Sequence, residues 1–568
     1  MKDDAITADP ITVEIIRHAI NAIPNLIDAN IMRTAFSPLI NEYKDFAVGI
    51  VDHEGRLISQ SKAGIPVFIA NSIGVAVRDG LELYGSEDLL SGDIVITNWA
   101  GTQGQHLNNV VMYTPIRIDG ELAGFMSVVM HWMDVGGIIT GSCISNDTTD
   151  IYQEGIQFRT VKLRRAGQPV PEIYRMIRHN TRFPDMVIGD VESQAAGCLM
   201  GCAMVEEVIR RFGLPTFRLA VERIWDQAEK VCRAAIRAIP DGTYTAESFL
   251  DNDGRSLDQR IPVKVSIHVS GDAMVFDFSE IGDEVVGPLN AGRDGGATAA
   301  ARIAAKYLLT PIEPANEGDF RAIRVDIPDG KFLSARPTAP MGGSGSTLPT
   351  VVDTIFKALA PALPARIAAA HHGTYAIHVF IGRDPTTGGF FQHVDTGIGG
   401  WGATCDRDGP GPYRSLVHGD TVDVPAEMQE GLYPLRLENY SLRPDSGGAG
   451  RHRGGLGIEK LYRVLAPCRV AITIERSLCA PWGLFGAEAG KTGFVEIRRP
   501  GHPPEIVLKG DVPLAPGDLV YVATAGGGGY GIPSERRSED IEADVRAGYV
   551  TEAAAQQAYG GLPHLDRP

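Results

Sequence analysis

The sequence predicts an α+β protein of several domains, rich in strands and turns, with a helical N-terminal segment and a helical C-terminal tail. Three observations carry this expectation. The chain has 568 residues, more than one compact core accommodates. Its 66 glycines and 36 prolines exceed average usage and cut the chain into many short elements. Between those breaks, helical and strand-like hydrophobic periods occupy separate stretches.

Taken in order, Asp9-Pro10 reads as a helix start, with aspartate as cap and proline in the first turn. Val13, Ile16, Ile20, Ile23, Ile27 and Ile31 then recur at spacings of three or four, forming one apolar face that Pro24 is expected to kink. Residues 45–60 read as a hairpin turning at His53-Glu54-Gly55. Residues 187–238 are helical, with a second amphipathic run after Pro215. Residues 242–278 switch to alternating strand patterns such as VKVSIHVSGDAMVFDFS. Ala297–Leu309 and residues 349–369 read as helices, and strands and turns fill the chain from about 375 to GGGGYG at Gly526–Gly531. Residues 538–560 return to helix. The expected divisions are 1–240, 241–375, 376–535 and a tail, 536–568.

Composition narrows the function. The 53 basic against 70 acidic residues give a net charge of −17, which disfavours nucleic acid or an anionic membrane as partner. The opening MKDDAITADP has no apolar core of a signal peptide, and no apolar run is long enough to span a membrane, so a cytoplasmic location is expected. Seven scattered cysteines without a CxxC pair fit reduced thiols. Cys198 and Cys202, one helical turn apart in an Ala/Gly-rich stretch, read as a packed helix face rather than a zinc site. LFGAEAGKT at Leu484–Thr492 is not a phosphate loop. Only three residues separate Gly486 from Gly490, and a strand pattern follows where a helix is required. The Gly-rich SGGAGRHRGGLG with Arg451, His452 and Arg453, and GGGGYG near the end, read first as tight packing turns. His371-His372 reads as the end of a helix.

One region concentrates chemistry. VVMYTPIRI and LAGFMSVVM flank Asp119-Gly120, a strong hairpin signal. With those two residues as the turn, Asn108 pairs with His131, and His106, Asn108 and His131 share one face. Asn109 falls on the opposite face, and joins the others only if the strand bulges or ends near His106, an irregularity that Gly101 and Gly104 favour. His106 and His131 become diagonal neighbours, close enough to grip one cation. The alternative is a pair of satisfied core histidines. Asp134, before Val-Gly-Gly, either caps a turn or orients an imidazole.

The chain resembles the B-type subunits of the hydantoinase B, 5-oxoprolinase and acetone carboxylase family nearly end to end. The landmarks are DPITVEIIRHAI, RTAFSP, KDFAVGIVDHEGRLISQ, the hairpin with MDVGG, IYQEGIQF at Ile151–Phe158, LRPDSGGAGRHRGGLG at Leu442–Gly457 and GGGGYG. The resemblance implies an A-type partner with an actin-like ATPase fold, which binds ATP and phosphorylates a carbonyl or enolate oxygen. It also implies a divalent metal (Zn, Mn or Fe) on the B-type chain. Its ligands fall on His106, Asn109 and His131. Asn109 departs from the aspartate usual there, and a carboxylate from elsewhere, Asp45 first and Asp134 second, is expected to compensate as a catalytic group. The implied function is that of the B-type subunit in an ATP-dependent cyclic-amide hydrolase, working in a hetero-oligomer on a lactam or hydantoin. A ketone carboxylase subunit and a scaffold with a decayed metal site are the alternatives.

Overall fold

The computed structural model describes residues 9–143 and 145–560, and the end of the expected helical tail, 561–568, lies outside them. The α+β, multi-domain expectation holds: helices alternate with four sheets.

The first sheet has seven strands. In spatial order they are Leu57–Gln60, Phe46–Asp52, Glu121–His131, Asn109–Ile118, Ile94–Thr97, Val161–Arg165 and Gln168–Pro169. All neighbours are antiparallel. Antiparallel sheets often leave one face wet, but here the central strands are apolar on both faces. Val48, Ile50, Val110, Met112, Val128 and Met130 pack on one side with Pro10–Thr34 and Pro184–Phe212. Ala47, Val51, Val111, Tyr113 and Val129 point the other way, into a core shared with Ala299–Leu309 and Ser344–Leu359.

Local chemistry explains the helices on the first side. Asp9 caps Pro10–Thr34 by accepting from Ile11 N (2.9 Å) and Thr12 N (3.1 Å). The six apolar residues of the expected stripe are all buried, and the helix continues through Pro24. Pro184–Phe212 lies close against both the sheet and the Pro10–Thr34 helix because its contact positions are small. A side chain at Gly201 would come within 2.7 Å of Met126 Cε, and one at Gly197 within 3.1 Å of Ile31 Cδ1. Cys198 and Cys202 belong to the same face, with sulfurs 3.6 Å from the Met112 and Pro115 carbonyls.

The second sheet runs Ile323–Asp326, Ala273–Asp277, Ile261–Ser270 and Gly242–Leu250, the first pair parallel. Ile261–Ser270 alternates buried and half-buried residues, and its apolar face joins the core that holds Ser344–Leu359. That helix starts five residues before the sequence expectation and ends ten before it. Pro361 and Pro364 follow Leu359, and proline disfavours helix in the residue before it. His371-His372 is therefore not a helix end. His371 is buried, with Nδ1 2.9 Å from Asp353 Oδ1.

Two further sheets follow. One orders Phe390–Thr396, Ile377–Arg383, Cys468–Thr473 and Lys509–Leu514. The other orders Leu435–Leu442, Ile458–Val464, Leu519–Ala523, Phe494–Arg498 and Glu505–Val507. The two Gly-rich motifs pack on each other: Gly448 N donates to Gly527 O (2.9 Å), and Tyr530 N to His452 O (2.9 Å). Arg453 is buried and paired with Asp544 at 2.9 Å, so this arginine serves packing. The tail forms two helices, Ser538–Arg546 and Glu552–Tyr559, separated at Gly548. No helix among the described residues is long and apolar enough to cross a membrane.

Candidate metal centre

The site is built by a register shift. The 109–131 hairpin turns at Asp119 and Gly120, both at positive φ (50° and 88°), as its Asp-Gly sequence predicts. Two rungs later the ladder slips. Arg117 pairs with Leu122, but Ile116 pairs with Gly124, which leaves Ala123 as an extra residue. A one-residue bulge exchanges the faces of everything beyond it. Asn109, not the expected Asn108, therefore stands opposite His131.

The third strand extends this rung. Phe46 faces Met130, and one residue further His131 N donates to Asp45 O at 3.0 Å. Asp45, His131 and Asn109 thus form a row across three adjacent strands, on the face that carries Ala47, Val129 and Val111. His106 joins from the turn before the strand, where Asn109 N donates to His106 O at 3.3 Å.

The side chains converge. His106 Nε2 lies 2.9 Å from Asn109 Oδ1, and the His106 and His131 rings are 5.1 Å apart. Asn109 Nδ2 donates to Gln105 Oε1 (2.9 Å), which leaves its carbonyl oxygen facing the histidine. Cys143 Sγ is 3.8 Å from His131 Nε2, and donor atoms of His106, His131 and Cys143 lie within 4.8 Å of one another. Nδ1 of both histidines is buried without a hydrogen-bond partner among the described residues. Burial holds the His106 imidazole at about 4, below its ordinary value. Burial, and then the neighbouring His106, push His131 well below its ordinary value too.

These residues fit a divalent ion. Both rings are neutral at physiological pH, as ligands must be. The 2.9 Å between His106 Nε2 and Asn109 Oδ1 matches two donors at right angles on one ion, about 3 Å apart for bonds of about 2.1 Å.

A cavity opens over the row. Tyr43, Asp45, Gln105, His106, Asn109, His131, Cys143, Ser344, Tyr375, Thr396 and His418 line its polar part, and Ile65, Val67, Phe68, Leu348, Ile377 and Val394 its apolar part. Neither lysine nor arginine lines it among the described residues. The Asp45 carboxyl takes no hydrogen bond or ion pair from the described residues and stands outside the His106–His131–Cys143 cluster, and burial raises its pKa to about 7. Across the cavity, Tyr43 Oη is 2.8 Å from His418 Nε2 and 2.5 Å from Thr396 Oγ1. Tyr375 stacks on His418, with ring centroids 4.0 Å apart.

Asp134 is placed differently. It lies off the cavity lining and organises the loop after the hairpin. Its Oδ1 accepts from Gly141 N (3.2 Å), Ser142 Oγ (2.9 Å) and Arg182 Nη1 (2.8 Å), and Oδ2 accepts from Arg182 N (2.6 Å). It caps a turn and touches neither imidazole among the hydrogen bonds it makes. Asn108, displaced from that row, holds the same loop. It donates to Trp132 O (2.7 Å) and accepts from Cys143 N (3.3 Å).

Sequence reasoning missed Cys143, Tyr43, Tyr375, His418 and Glu154. Cys143 carried the clearest signal, a cysteine in a Gly-Ser turn twelve residues beyond a candidate ligand. Glu154, within the IYQEGIQF landmark, accepts from Met341 N (2.6 Å) and Gly342 N (2.7 Å) and pins the segment leading to the cavity's Ser344. Burial raises its pKa to about 8. A raised acid contributes stability below its unfolded value, and the contribution is lost as pH rises through the folded one. Glutamine imitates the protonated form. Glu154→Gln is therefore expected to gain on the wild type as pH rises from about 4.5 to about 8, by about 1.4 kcal/mol per pH unit. Glu154→Ala strips two backbone donors and loses about 2–4 kcal/mol. Denaturant unfolding across that pH range checks both.

Comparisons with known proteins bear on this geometry. A family model described as Hydantoinase B/oxoprolinase matches residues 9–533. The B-type chain of a putative D-/L-hydantoinase from Pseudomonas sp. is 28% identical, over 97% of this chain and 95% of its own. The beta chain of the caprolactamase from Pseudomonas jessenii is 28% identical over 98% of this chain and 96% of its own. The crystal structure of the ATP-dependent caprolactamase from that organism superposes with a TM-score of 0.92 at 26% identity, covering 99% of this chain and 98% of the other. A nucleotide-free acetone carboxylase shares the fold, with a TM-score of 0.88 at 20% identity over 97% of this chain and 79% of the other.

Proposed function

The chain belongs to the hydantoinase B/oxoprolinase family, and from that premise we propose that it is the B-type component of an ATP-dependent cyclic-amide hydrolase. The observation that carries the reading is the row Asp45–His131–Asn109, with His106 beside it, at the polar end of a cavity whose other wall is apolar. Methylenes of a small lactam or hydantoin suit the apolar wall, and its amide suits the row. The caprolactamase likeness at 26% identity favours amide opening over carboxylation, since the carboxylase likeness rests on fold alone. Relatives named as B-type and beta chains support a partner, which in this reading is the A-type ATPase that binds ATP. The pair would work in the cytoplasm, where ATP is made.

His106, His131 and Asn109 would hold the divalent ion, with Asp45 facing it. Such an ion supplies a Lewis acid that polarises oxygen and acidifies water. The chain's own groups do the rest. An amide resists water through resonance, and phosphorylation of its oxygen by the partner makes the carbon electrophilic. Asp45, with a pKa near 7, accepts a proton from the attacking water. The hydroxyl now on the tetrahedral carbon gives its proton to solvent as the C=O forms, and the ring C–N bond breaks with its electron pair on nitrogen. Tyr43 Oη, kept protonated by burial and hydrogen-bonded to His418 Nε2, gives that nitrogen a proton. An acyl phosphate remains, and a second water hydrolyses it to the acid and phosphate.

The test is reconstitution with an A-type partner, ATP and a panel of lactams and hydantoins. Ring-opened acid that forms with ADP and phosphate, and only when both chains are present, is the expected result. Bicarbonate-dependent carboxylate from a ketone would instead identify a carboxylase. No product, together with less than about a tenth of an equivalent of tightly bound metal, would leave a scaffold.

A further inference from the structure

The donor set is short of charge. His106, His131 and Asn109 are all neutral ligands, and the Asp45 carboxylate stands outside the cluster whose donor atoms approach within 4.8 Å. A divalent ion held by three neutral donors has no anionic ligand of its own, and the Asp45 carboxylate faces it only from outside the cluster, whereas buried charge is best tolerated when directly paired. The one group inside the cluster able to supply a negative charge is Cys143.

We propose that Cys143 is a direct ligand of the metal, binding as thiolate beside His106 and His131 and making this a thiophilic centre. The inference rests on the metal-dependent reading above and adds to it a sulfur ligand and a metal class. Three features converge on Cys143. Its Sγ lies 3.8 Å from His131 Nε2, the spacing of two donors on one small cation. His131 is 6% exposed, and its ring faces this cluster with no other side-chain hydrogen bond among the described residues.

The third feature is the turn that carries the sulfur, which is pre-set. Asn108 accepts from Cys143 N at 3.3 Å, Asp134 fixes Gly141 and Ser142 on its two preceding residues, and Arg182 Nη1 donates to Ile139 O at 2.9 Å. On the far side, a side chain at Gly342 would overlap the Cys143 carbonyl, so the segment pinned by Glu154 closes directly over the cysteine. A loop fixed from both sides is what a ligand requires, because a ligand must be held in place before the ion arrives.

Coordination replaces the S–H proton with a metal–sulfur bond, and the proton leaves to solvent. Sulfur with two imidazoles selects zinc, iron(II) or cobalt(II) over magnesium and calcium, which take oxygen ligands. No other cysteine lines the cavity or joins the cluster among the described residues: Cys198 and Cys202 face carbonyls on the helical side of the sheet, and Cys405 contacts the Ala365 carbonyl at 3.8 Å.

The experiment loads the full-length chain with zinc and with cobalt(II). X-ray absorption at the zinc edge is expected to show one sulfur neighbour at about 2.3 Å besides nitrogen and oxygen neighbours. The cobalt form is expected to show an intense near-ultraviolet thiolate-to-cobalt charge-transfer band. Cys143→Ser should abolish both signals and weaken zinc affinity by about tenfold or more, while Cys405→Ser leaves them intact. Cys143→Ala, measured with circular dichroism alongside, separates loss of the ligand from loss of the fold. Tight metal without sulfur, unaltered by Cys143→Ser, overturns the sulfur ligand and leaves the metal-dependent hydrolase standing. Failure of the wild type to bind any of these ions overturns both.

Discussion

Replacing His131 with alanine is expected to empty the metal centre and lower ring opening by about a thousandfold, since a Lewis acid contributes several kcal/mol to such a transition state and each 1.4 kcal/mol is a tenfold change in rate. His131 is the hub of the site. It lies between Asp45 and Asn109 on the row, its ring is 5.1 Å from that of His106, and its Nε2 is 3.8 Å from Cys143. Its ring makes no side-chain hydrogen bond that alanine would break elsewhere in the core, and its backbone N–H to Asp45 O survives the change. The variant should therefore fold and still meet its partner, while metal analysis falls from about one equivalent to less than about a tenth. Full activity from a metal-free variant would remove the ion from the mechanism.

Asp45→Asn is expected to retain metal yet lose about 10²- to 10⁴-fold in turnover, the range a positioned general base contributes. The same substitution should change the pH profile. Asp45 must be ionised to accept a proton, and burial places its pKa near 7. In the wild type, kcat/KM should fall about tenfold per pH unit below about 7, and the residual activity of the variant should lose that limb. A profile unchanged by the substitution assigns the base elsewhere. Loss of metal along with activity would make Asp45 a ligand instead.

Much of the molecule follows from local rules. The isoleucine stripe of Pro10–Thr34, its aspartate cap and the Asp119-Gly120 turn obey short-range sterics and periodicity, and the structure places all three as expected. The Gly-rich motifs also follow, because glycine tolerates the backbone contacts that join Gly448 to Gly527. What failed was the register. An ideal two-residue turn pairs Asn108 with His131, and nothing in LAGFMSVVM marks Ala123 as the residue that bulges. A bulge exchanges faces at the cost of one unpaired rung, and that small energy is decided by packing on both sides of the sheet, beyond the reach of any local pattern. The boundaries of Ser344–Leu359 shifted for a related reason: its first turn sits against Leu289 and Tyr375, which are remote in sequence.

The amino-acid order by itself determined which side chains are the candidates for the chemistry: two imidazoles flanking a hairpin, an asparagine three residues after the first, and an aspartate at the head of a neighbouring strand. Tertiary structure alone decided that Asn109 rather than Asn108 faces His131, that Asp134 holds a turn, and that Cys143 reaches the same centre. The division has a physical reason. Residue type and short-range spacing are fixed by covalent connectivity, whereas the face a strand presents and the loop that closes over it depend on contacts between segments far apart in the chain.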